Sequence, residues 1–346
     1  MANELNTRSQ QILEAIIEEH IATAQPVGSR AITARLAVRL SPATVRNVMA
    51  ELEEQGYLCS PHTSSGRFPT EKGYRFYVDT LLRVSGIGRR QKDRIETEYQ
   101  WKGLQMSELL RAASKALSSM SSYTGLVMLP RLQKTIFRHI EFVKLSSSKV
   151  LVVFVTQSGL VQNKLIEIDE DLTAAELEQI TNYLNRTMAG LSIQAMQNQL
   201  LSKMAREKAL YDRLLQRAMR LSSAAFAGDP EGDVIIEGTS LFLEQPEFCD
   251  MERMKRIFRA FERKSVLFEL LDRGVQGSGV QIIIGSETEH SEIAGCSLIA
   301  ASYSSRSGSL GSLGIIGPSR MPYAKVVPIV DYTATLVSRL LDNDSD

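Results

Sequence analysis

Hydrophobic residues recur at helical spacing in residues 41–56, a stretch with a signal for a helix end on each side. The apolar side chains fall at positions i, i+3, i+4 and i+7, namely Val45, Val48, Met49 and Leu52. This spacing predicts a helix with one buried face. Ser41 can accept a hydrogen bond from a free N–H group of the first turn, where Pro42 is also tolerated. Gly56 suits the left-handed residue that ends a helix.

The opposite face of this helix carries small or hydrogen-bonding side chains near its N-terminus: Ala43, Thr44, Arg46 and Asn47. Groups of these types can reach the base edges in a DNA major groove. The acidic residues come only in the later turns, at Glu51, Glu53 and Glu54. The helix dipole favours acids early and bases late. The reversed order therefore predicts an N-terminal tip that faces phosphate.

The flanking sequence predicts a helix-turn-helix followed by a wing. A helix over about residues 6–23 precedes a break, and Ser29 is predicted to cap a short second helix. Two short helices joined by a tight turn, with polar groups presented by the later one, are typical of the helix-turn-helix. Strand-like residues 57–59 and 67–69 then flank a turn-rich loop, which predicts a hairpin. Thr70 can cap the next helix.

Backbone contacts to DNA are predicted at the hairpin and around the helices. The hairpin tip offers backbone N–H groups, hydroxyls and one cation, at Ser64, Ser65, Gly66 and Arg67. Further phosphate contacts are predicted at Ser29, Arg30, Ser41, Lys72 and Arg75. No acid lies between Glu19 and Glu51, so a local basic face is expected although the formal net charge is zero. A small helical interaction domain with merely solvated arginines stays open as the alternative.

The rest of the chain predicts an α+β arrangement. After a junction at residues 85–90 and a helical stretch, strand-like runs rich in Val, Ile and Phe occupy residues 125–129, 136–145, 150–156 and 165–168. Leucines at helical spacing between residues 172 and 227 fit either intradomain core or an inserted element that pairs two subunits. Later elements are a helix over 250–271, strands over 280–285, 297–303 and 312–316, and a helix over 330–341.

No pattern typical of an enzyme, a metal site or a cofactor site is found. Three widely spaced cysteines fit a reducing cytoplasm, at Cys59, Cys249 and Cys296. One loop holds carboxylates and an imidazole that could bind a cation, although charged loops are commoner than metal sites: Glu287, Glu289, His290 and Glu292. The glycines between residues 308 and 317 match no phosphate loop and predict a flexible hairpin. The longest apolar run, residues 150–155, is too short to cross a membrane.

Collinear motifs resemble the HrcA family of heat-inducible transcription repressors. In the N-terminal part they are Pro26-Val-Gly-Ser-Arg30, Leu40-Ser-Pro-Ala-Thr-Val-Arg-Asn47, Leu52-Glu-Glu-Gln-Gly-Tyr-Leu58, Pro61-His-Thr-Ser-Ser-Gly-Arg67 and Pro69-Thr-Glu-Lys-Gly-Tyr-Arg-Phe-Tyr-Val78. In the C-terminal third they are Glu237-Gly-Thr-Ser240, Gln245-Pro-Glu-Phe248, Cys296-Ser-Leu-Ile299 and Gly314-Ile-Ile-Gly-Pro-Ser-Arg-Met321. The resemblance covers most of the chain and is weakest in the middle.

The resemblance implies a winged-helix DNA-binding domain over residues 1–85 and a GAF-like α+β domain over 86–165 and 246–346. It further implies an inserted dimerisation element over residues 166–245. The expected function is repression of chaperone operons by a homodimer on double-stranded DNA carrying an inverted-repeat operator, with the chaperonin promoting the active form. A ligand-sensing regulator that uses the GAF-like domain, and a protein–protein adaptor with no DNA role, remain alternatives.

Overall fold

Four α-helices and a two-stranded sheet make up the described part of the N-terminal region. The computed structural model describes residues 5–36, 40–60, 66–98, 104, 106–130, 136–157, 161–192, 195–196, 198–199, 217–218, 220–222, 234–248, 250–276, 279–306 and 308–343. The first elements are α1 (Thr7–Thr23), α2 (Ser29–Arg35), α3 (Pro42–Glu54), β1 (Leu58–Cys59), β2 (Phe68–Pro69) and α4 (Glu71–Phe76), which continues into a π-helical turn, Tyr77–Leu81. Strands β1 and β2 pair antiparallel.

Local signals account for most boundaries of this region. The Asn6 side chain accepts a hydrogen bond from the Ser9 N–H group at the start of α1, and Thr70 caps α4 in the same way. Gly56 is left-handed, with φ +77°, as predicted. One prediction is wrong: Ser29 is the first residue of α2 rather than its cap. Gly28 occupies the cap position, with no side-chain hydrogen bond.

A five-stranded antiparallel sheet forms the centre of the C-terminal part. Its order is β7-β3-β10-β9-β8. The strands are β3 (Thr124–Met128), β7 (Val234–Glu237), β8 (Val280–Ile284), β9 (Cys296–Ser305) and β10 (Gly308–Pro318). The glycine-rich segment predicted to be a flexible hairpin is thus the long strand β10. A Cβ at Gly314 would lie 2.4 Å from the Ile299 carbonyl oxygen, so these strands approach too closely for a side chain.

Helices cover both faces of this sheet. Helices α6 (Met106–Ser121) and α10 (Tyr323–Asn343) pack on one face, while α8 (Met251–Arg263) and α9 (Ser265–Gln276) pack on the other. Alternate residues of β9 face the two cores, as the period of a strand requires. The single helix predicted over residues 250–271 is two helices, because Lys264 takes a left-handed conformation between them, with φ 52°.

Residues 136–192 form a separate unit with its own core. Strands β4 (Phe137–Lys144), β5 (Lys149–Thr156) and β6 (Val161–Glu167) form a three-stranded antiparallel sheet, and α7 (Ala174–Met188) covers one of its faces. The predicted start of the insertion at residue 166 falls inside β6, and its predicted end at 245 lies beyond β7, which belongs to the five-stranded sheet. Three of the predicted positions are core of this unit: Leu177, Ile180 and Leu184.

The other predicted positions of that leucine pattern, Leu200, Leu201, Met204, Leu210, Leu214, Leu215 and Met219, lie outside the described residues. A further helix, α5 (Arg89–Glu98), follows the N-terminal region. The N-terminal helices share one continuous hydrophobic core with α6 and α10. Within the described residues, none of the helices is long and apolar enough to span a membrane.

Candidate nucleic-acid interface

The N-terminus of α3 is capped by the side chain of Ser41. The Thr44 N–H group donates to Ser41 Oγ over 3.0 Å, and the two hydroxyl oxygens lie 2.9 Å apart. Pro42 occupies the first helical position. The buried face is the predicted one: Val45, Val48, Met49 and Leu52. The cap and the buried face together fix the direction in which the opposite face points.

That opposite face presents the predicted base-reading residues. Ala43, Arg46 and Asn47 are exposed, and Thr44 is half-buried with its hydroxyl beside that of Ser41. The side chains of Arg46 and Asn47 have no hydrogen-bond or ion-pair partner among the residues that the structure describes. No described residue therefore holds this guanidinium and carboxamide, which lie near the positive end of a helix dipole.

Helix α2 adds a second available cation. Arg30 is exposed, and its guanidinium has no partner in the described part of the chain. Ser29 is half-buried at the start of the same helix. Arg35, at the end of the same helix, instead forms an ion pair with Glu19 at 2.8 Å. Helix α2 therefore places next to α3 an arginine that no described residue holds.

The base of the hairpin is held against the turn between α1 and α2. Val27 and Arg67 exchange both backbone hydrogen bonds at 2.9 Å. A Cβ at Gly66 would lie 2.7 Å from the backbone of Pro26 and Val27, so only glycine allows this approach. Ser64 and Ser65, the predicted tip contacts, lie outside the described residues.

The Arg67 side chain lies differently from the prediction. Its Nε is 2.7 Å from Glu53 Oε2, an ion pair without the alignment of a hydrogen bond, and its terminal nitrogen donates to Ser60 Oγ over 3.3 Å. The cation predicted to neutralise phosphate therefore joins the hairpin to α3 and offsets one of the helix's acids.

Lys72 is also engaged within the protein. Its Nζ donates to the Gln55 carbonyl oxygen over 2.8 Å and lies 4.4 Å from the centre of the Tyr57 ring. The ammonium thus satisfies a free carbonyl at the C-terminus of α3. That end is about 20 Å from the N-terminal tip, given 1.5 Å of rise per residue. Lys72 is therefore too far from the N-terminus of α3 to bind the same phosphates as that helix end.

Arg75 departs furthest from its predicted role. Its Nε donates to Glu287 Oε1 over 2.7 Å, and a terminal nitrogen donates to Glu287 Oε2 and to the Ile282 carbonyl oxygen, the latter over 2.7 Å. The hydrogen bond with Glu287 raises the pKa of Arg75. Burial raises the pKa of Glu287, but the bonds from Arg75 and the Ile284 N–H group outweigh it, and the net shift is downward. Arg75 is an internal connection rather than a phosphate ligand.

The loop considered for a cation uses its charged groups on separate partners. Glu287 binds Arg75, and Glu289 binds Arg273 over 2.8 Å. His290 lies 3.3 Å from Glu269. Among the residues the structure describes, no three His, Cys, Asp or Glu side chains are grouped to hold a metal ion. No sequence signal indicated the Arg75–Glu287 pair, because its partners are 212 residues apart.

Comparison with known proteins gives the class of the chain. The family model of the HrcA protein C-terminal domain matches residues 107–327. A heat-inducible transcription repressor HrcA from Geobacter sulfurreducens is 52% identical over 341 residues, 99% of each chain. One of the same name from Syntrophobacter fumaroxidans is 40% identical over 346 residues, again 99% of each. A crystal structure of a hypothetical protein matches with a TM-score of 0.67 at 20% identity, covering 99% of this chain and 100% of the other.

These relatives define a class of transcription repressors, which are regulators rather than enzymes. The chain belongs to the HrcA family. The resemblance seen in the sequence motifs is thereby confirmed, and it extends over nearly the whole length, including the middle of the chain. The match to the solved structure adds a shared fold.

Proposed function

We propose that this repressor binds double-stranded DNA with sequence specificity through a winged helix-turn-helix formed by residues 1–85. The observation that carries this proposal is the capped tip of α3, where Arg46 and Asn47 are exposed and without a described partner. Arginine pairs with guanine and asparagine with adenine through two hydrogen bonds each in the major groove. Ala43 and Thr44 are small enough to allow the close approach that such pairing needs.

Phosphate contacts would surround this tip. Arg30 and Ser29 on α2 and the cap residue Ser41 lie on the elements next to it, and the Gly66 end of the hairpin supports the wing. Contacts of this kind orient the protein on the duplex without reading its sequence. Lys72, Arg75 and the side chain of Arg67 are excluded from this set because other parts of the protein hold them.

Footprinting on the DNA upstream of the source organism's chaperone genes tests the proposal. We expect protection of an inverted repeat whose half-sites are separated by one helical turn, about 34–36 Å, or a multiple of it. Arg46→Ala should weaken binding to that repeat by about 1–3 kcal/mol and flatten sequence preference. Arg256→Ala is a matched control, since Arg256 is exposed on α8 and has no described partner. Unchanged binding by Arg46→Ala would overturn the base-reading role.

We further propose that the unit of residues 136–192 joins two copies of the chain. The face of its sheet opposite α7 leaves large apolar side chains exposed: Val143, Val161 and Leu165. Leu151, Val153 and Val155 are only half-buried beside them. Glu141 and Asn163 lie beside Val153 on the same face, which is therefore apolar with polar residues among the apolar ones. Exposed apolar surface rimmed by polar residues marks protein–protein contacts, and a second copy would cover it with the same surface, as two-fold symmetry requires.

Light scattering after size-exclusion chromatography tests this interface. The full chain should elute as a dimer, and Leu165→Arg should shift it to a monomer, because the new charge would be buried at the two-fold contact. Leu243→Arg is the control, since Leu243 is more exposed (63% against 50%) but lies outside this unit. A Leu165→Arg protein that remained dimeric would place the dimer contact elsewhere.

The finer assignments belong to the same proposal. The α+β part would be a GAF-like domain, and the operator would lie before chaperone genes in the cytoplasm, with chaperonin promoting the active form; family resemblance supports these points. Adding purified chaperonin and ATP to a binding assay with an inverted-repeat duplex should raise the active fraction of the repressor. If the active fraction stays constant, modulation by chaperonin is wrong.

A further inference from the structure

One face of α4 fastens the N-terminal region to the C-terminal part of the chain. Glu71, Tyr74 and Arg75 share this face because they are three and four residues apart. Tyr74 is buried between them, its ring 6.3 Å from that of Tyr323 on α10, and its hydroxyl lies 2.7 Å from His20 Nδ1. The buried Tyr74 contact between the two parts of the chain thus has a charged side chain on either side, Glu71 and Arg75.

The Glu71 carboxylate contacts the turn at Gly285 and Ser286. Its Oε2 accepts hydrogen bonds from the Ser286 N–H group over 3.0 Å and from Ser286 Oγ over 2.6 Å. Gly285, with φ +53°, makes this possible, since a Cβ there would lie 1.9 Å from Glu71 Oε1. Any side chain at position 285 would be strained and would displace the carboxylate.

Arg75 forms the second connection with the opposite polarity. One helical turn after Glu71, its guanidinium binds the Glu287 carboxylate and the Ile282 carbonyl oxygen. On α4 the acid Glu71 precedes the base Arg75. On the loop that they contact, the hydrogen-bond donors of Ser286 precede the acid Glu287. Complementary charges of this kind suppress alternative arrangements and fix register, because sliding or reversing α4 would place Glu71 against Glu287.

Helix α4 is in turn tied to the end of α3. The Thr70 hydroxyl donates to the Gly56 carbonyl oxygen over 2.6 Å, and Lys72 Nζ donates to that of Gln55 over 2.8 Å. A Cβ at Gly73 would lie 2.4 Å from the Tyr57 carbonyl oxygen, so the two segments are in close contact. The loop at Ser286 and Glu287 therefore reaches α3 through a short run of hydrogen bonds.

We propose that Glu71 and Arg75 are positioning residues that fix the angle of α3 on the rest of each protomer and so set the half-site separation that the dimer accepts. This inference rests on the proposed DNA binding and dimerisation. A dimer gains affinity from its second reading helix only when both can engage at once. A rigid attachment confines that gain to one separation of the half-sites.

Binding to a series of duplexes tests the inference. The probes are the inverted repeat identified by footprinting, the same repeat with its spacer changed in single base-pair steps, and a lone half-site. For the native protein, a change of about 5 bp, half a helical turn, should lower affinity by about a hundredfold because simultaneous engagement is lost. For Glu71→Gln with Arg75→Met, the same change should cost less than about tenfold, with half-site affinity unchanged.

Two further variants keep the result independent of folding. Glu71→Gln alone retains the shape of the side chain, and Glu252→Gln removes an exposed ion pair with Lys255 on α8 as the control. General destabilisation would lower affinity for every probe, including the half-site, and would leave the optimal spacer unchanged. A double variant with the native, sharp dependence on spacer length would overturn the inference. If the native protein bound neither the repeat nor the half-site, DNA binding itself would be wrong.

Discussion

The tip of α3 and the face of α4 that contacts the C-terminal part each carry an arginine, but the two arginines have different surroundings. Arg46 on α3 is exposed and has no described partner. Arg75 on α4 holds a carboxylate and a carbonyl group of the C-terminal part. Arg75 would have to break charged hydrogen bonds, each contributing about 1.5–3 kcal/mol, before it could bind phosphate. Arg46 has no such bond to break within the described part of the chain, so the partners, and not the residue type, distinguish the two arginines.

The largest effect on stability within this comparison is expected for Arg75→Met. Glu287 and the Ile282 carbonyl oxygen would lose their donor, and the free energy of unfolding should fall by about 1–2 kcal/mol, allowing for partial exposure of the pair. Lys255→Met, which breaks an exposed ion pair with Glu252, should cost less than about 1 kcal/mol. Chemical denaturation of the full chain measures both. Equal, negligible effects would mean that Arg75 does not hold the junction.

Ser41 separates the capping role from contact with DNA. Ser41→Asp retains a cap for the Thr44 N–H group and adds a favourable charge at the helix start, so stability should be kept. The added carboxylate would face phosphate and should weaken DNA binding by at least about 1 kcal/mol. This is the repulsion energy of two unit charges about 4 Å apart in water. Ser41→Ala should lower stability by about 1 kcal/mol because the cap is lost, and it should add no charge that repels phosphate. Tight DNA binding by Ser41→Asp would place the tip away from phosphate.

Lys72 and Arg30 form a matched pair for the salt dependence of binding. Arg30→Met should reduce the slope of log affinity against log salt concentration by about one unit, as expected for the loss of one phosphate contact. Lys72→Met should leave the slope unchanged and lower stability by about 0.5–1.5 kcal/mol through the lost hydrogen bond to Gln55. A lower slope in Lys72→Met would restore its originally predicted role.

The smallest effect is expected from His20, which lies beside Tyr74. Burial lowers the pKa of His20; Glu247 opposes this shift and Arg320 adds to it. Below the unfolded value of 6.5 the unfolded chain therefore binds more protons, and stability falls as the pH drops through this window. His20→Gln should remove this dependence while keeping a polar partner for Tyr74. Thermal unfolding between about pH 7.5 and 5.5 measures the difference; parallel curves would contradict it.

Sequence patterns predicted the parts of the fold that depend on neighbouring residues. The cap at Ser41, the buried face of α3, the left-handed Gly56 and the cap at Thr70 all follow from side chains within one or two helical turns. The candidate reading face follows as well, because it is the complement of the buried face. These features need no information from distant parts of the chain.

Features that depend on distant residues were beyond the sequence. Strands β3 and β5 were both predicted as apolar runs, yet they belong to different sheets, and the sequence pattern did not show which sheet each strand joins. The partners of Arg75 and Glu71 lie more than 200 residues away. Charge alone therefore suggested phosphate contacts at positions where the fold supplies its own counter-charge.

The most direct test of the central claim is the ratio of affinities for a half-site duplex and a scrambled duplex of equal length. We expect Arg46→Ala to reduce this ratio by about 10–100-fold, the discrimination that one bidentate base contact provides. We expect Arg75→Met to leave the ratio unchanged, since Arg75 acts within the protein. A ratio preserved in Arg46→Ala, or lost in Arg75→Met, would contradict the assignment of α3 as the reading helix.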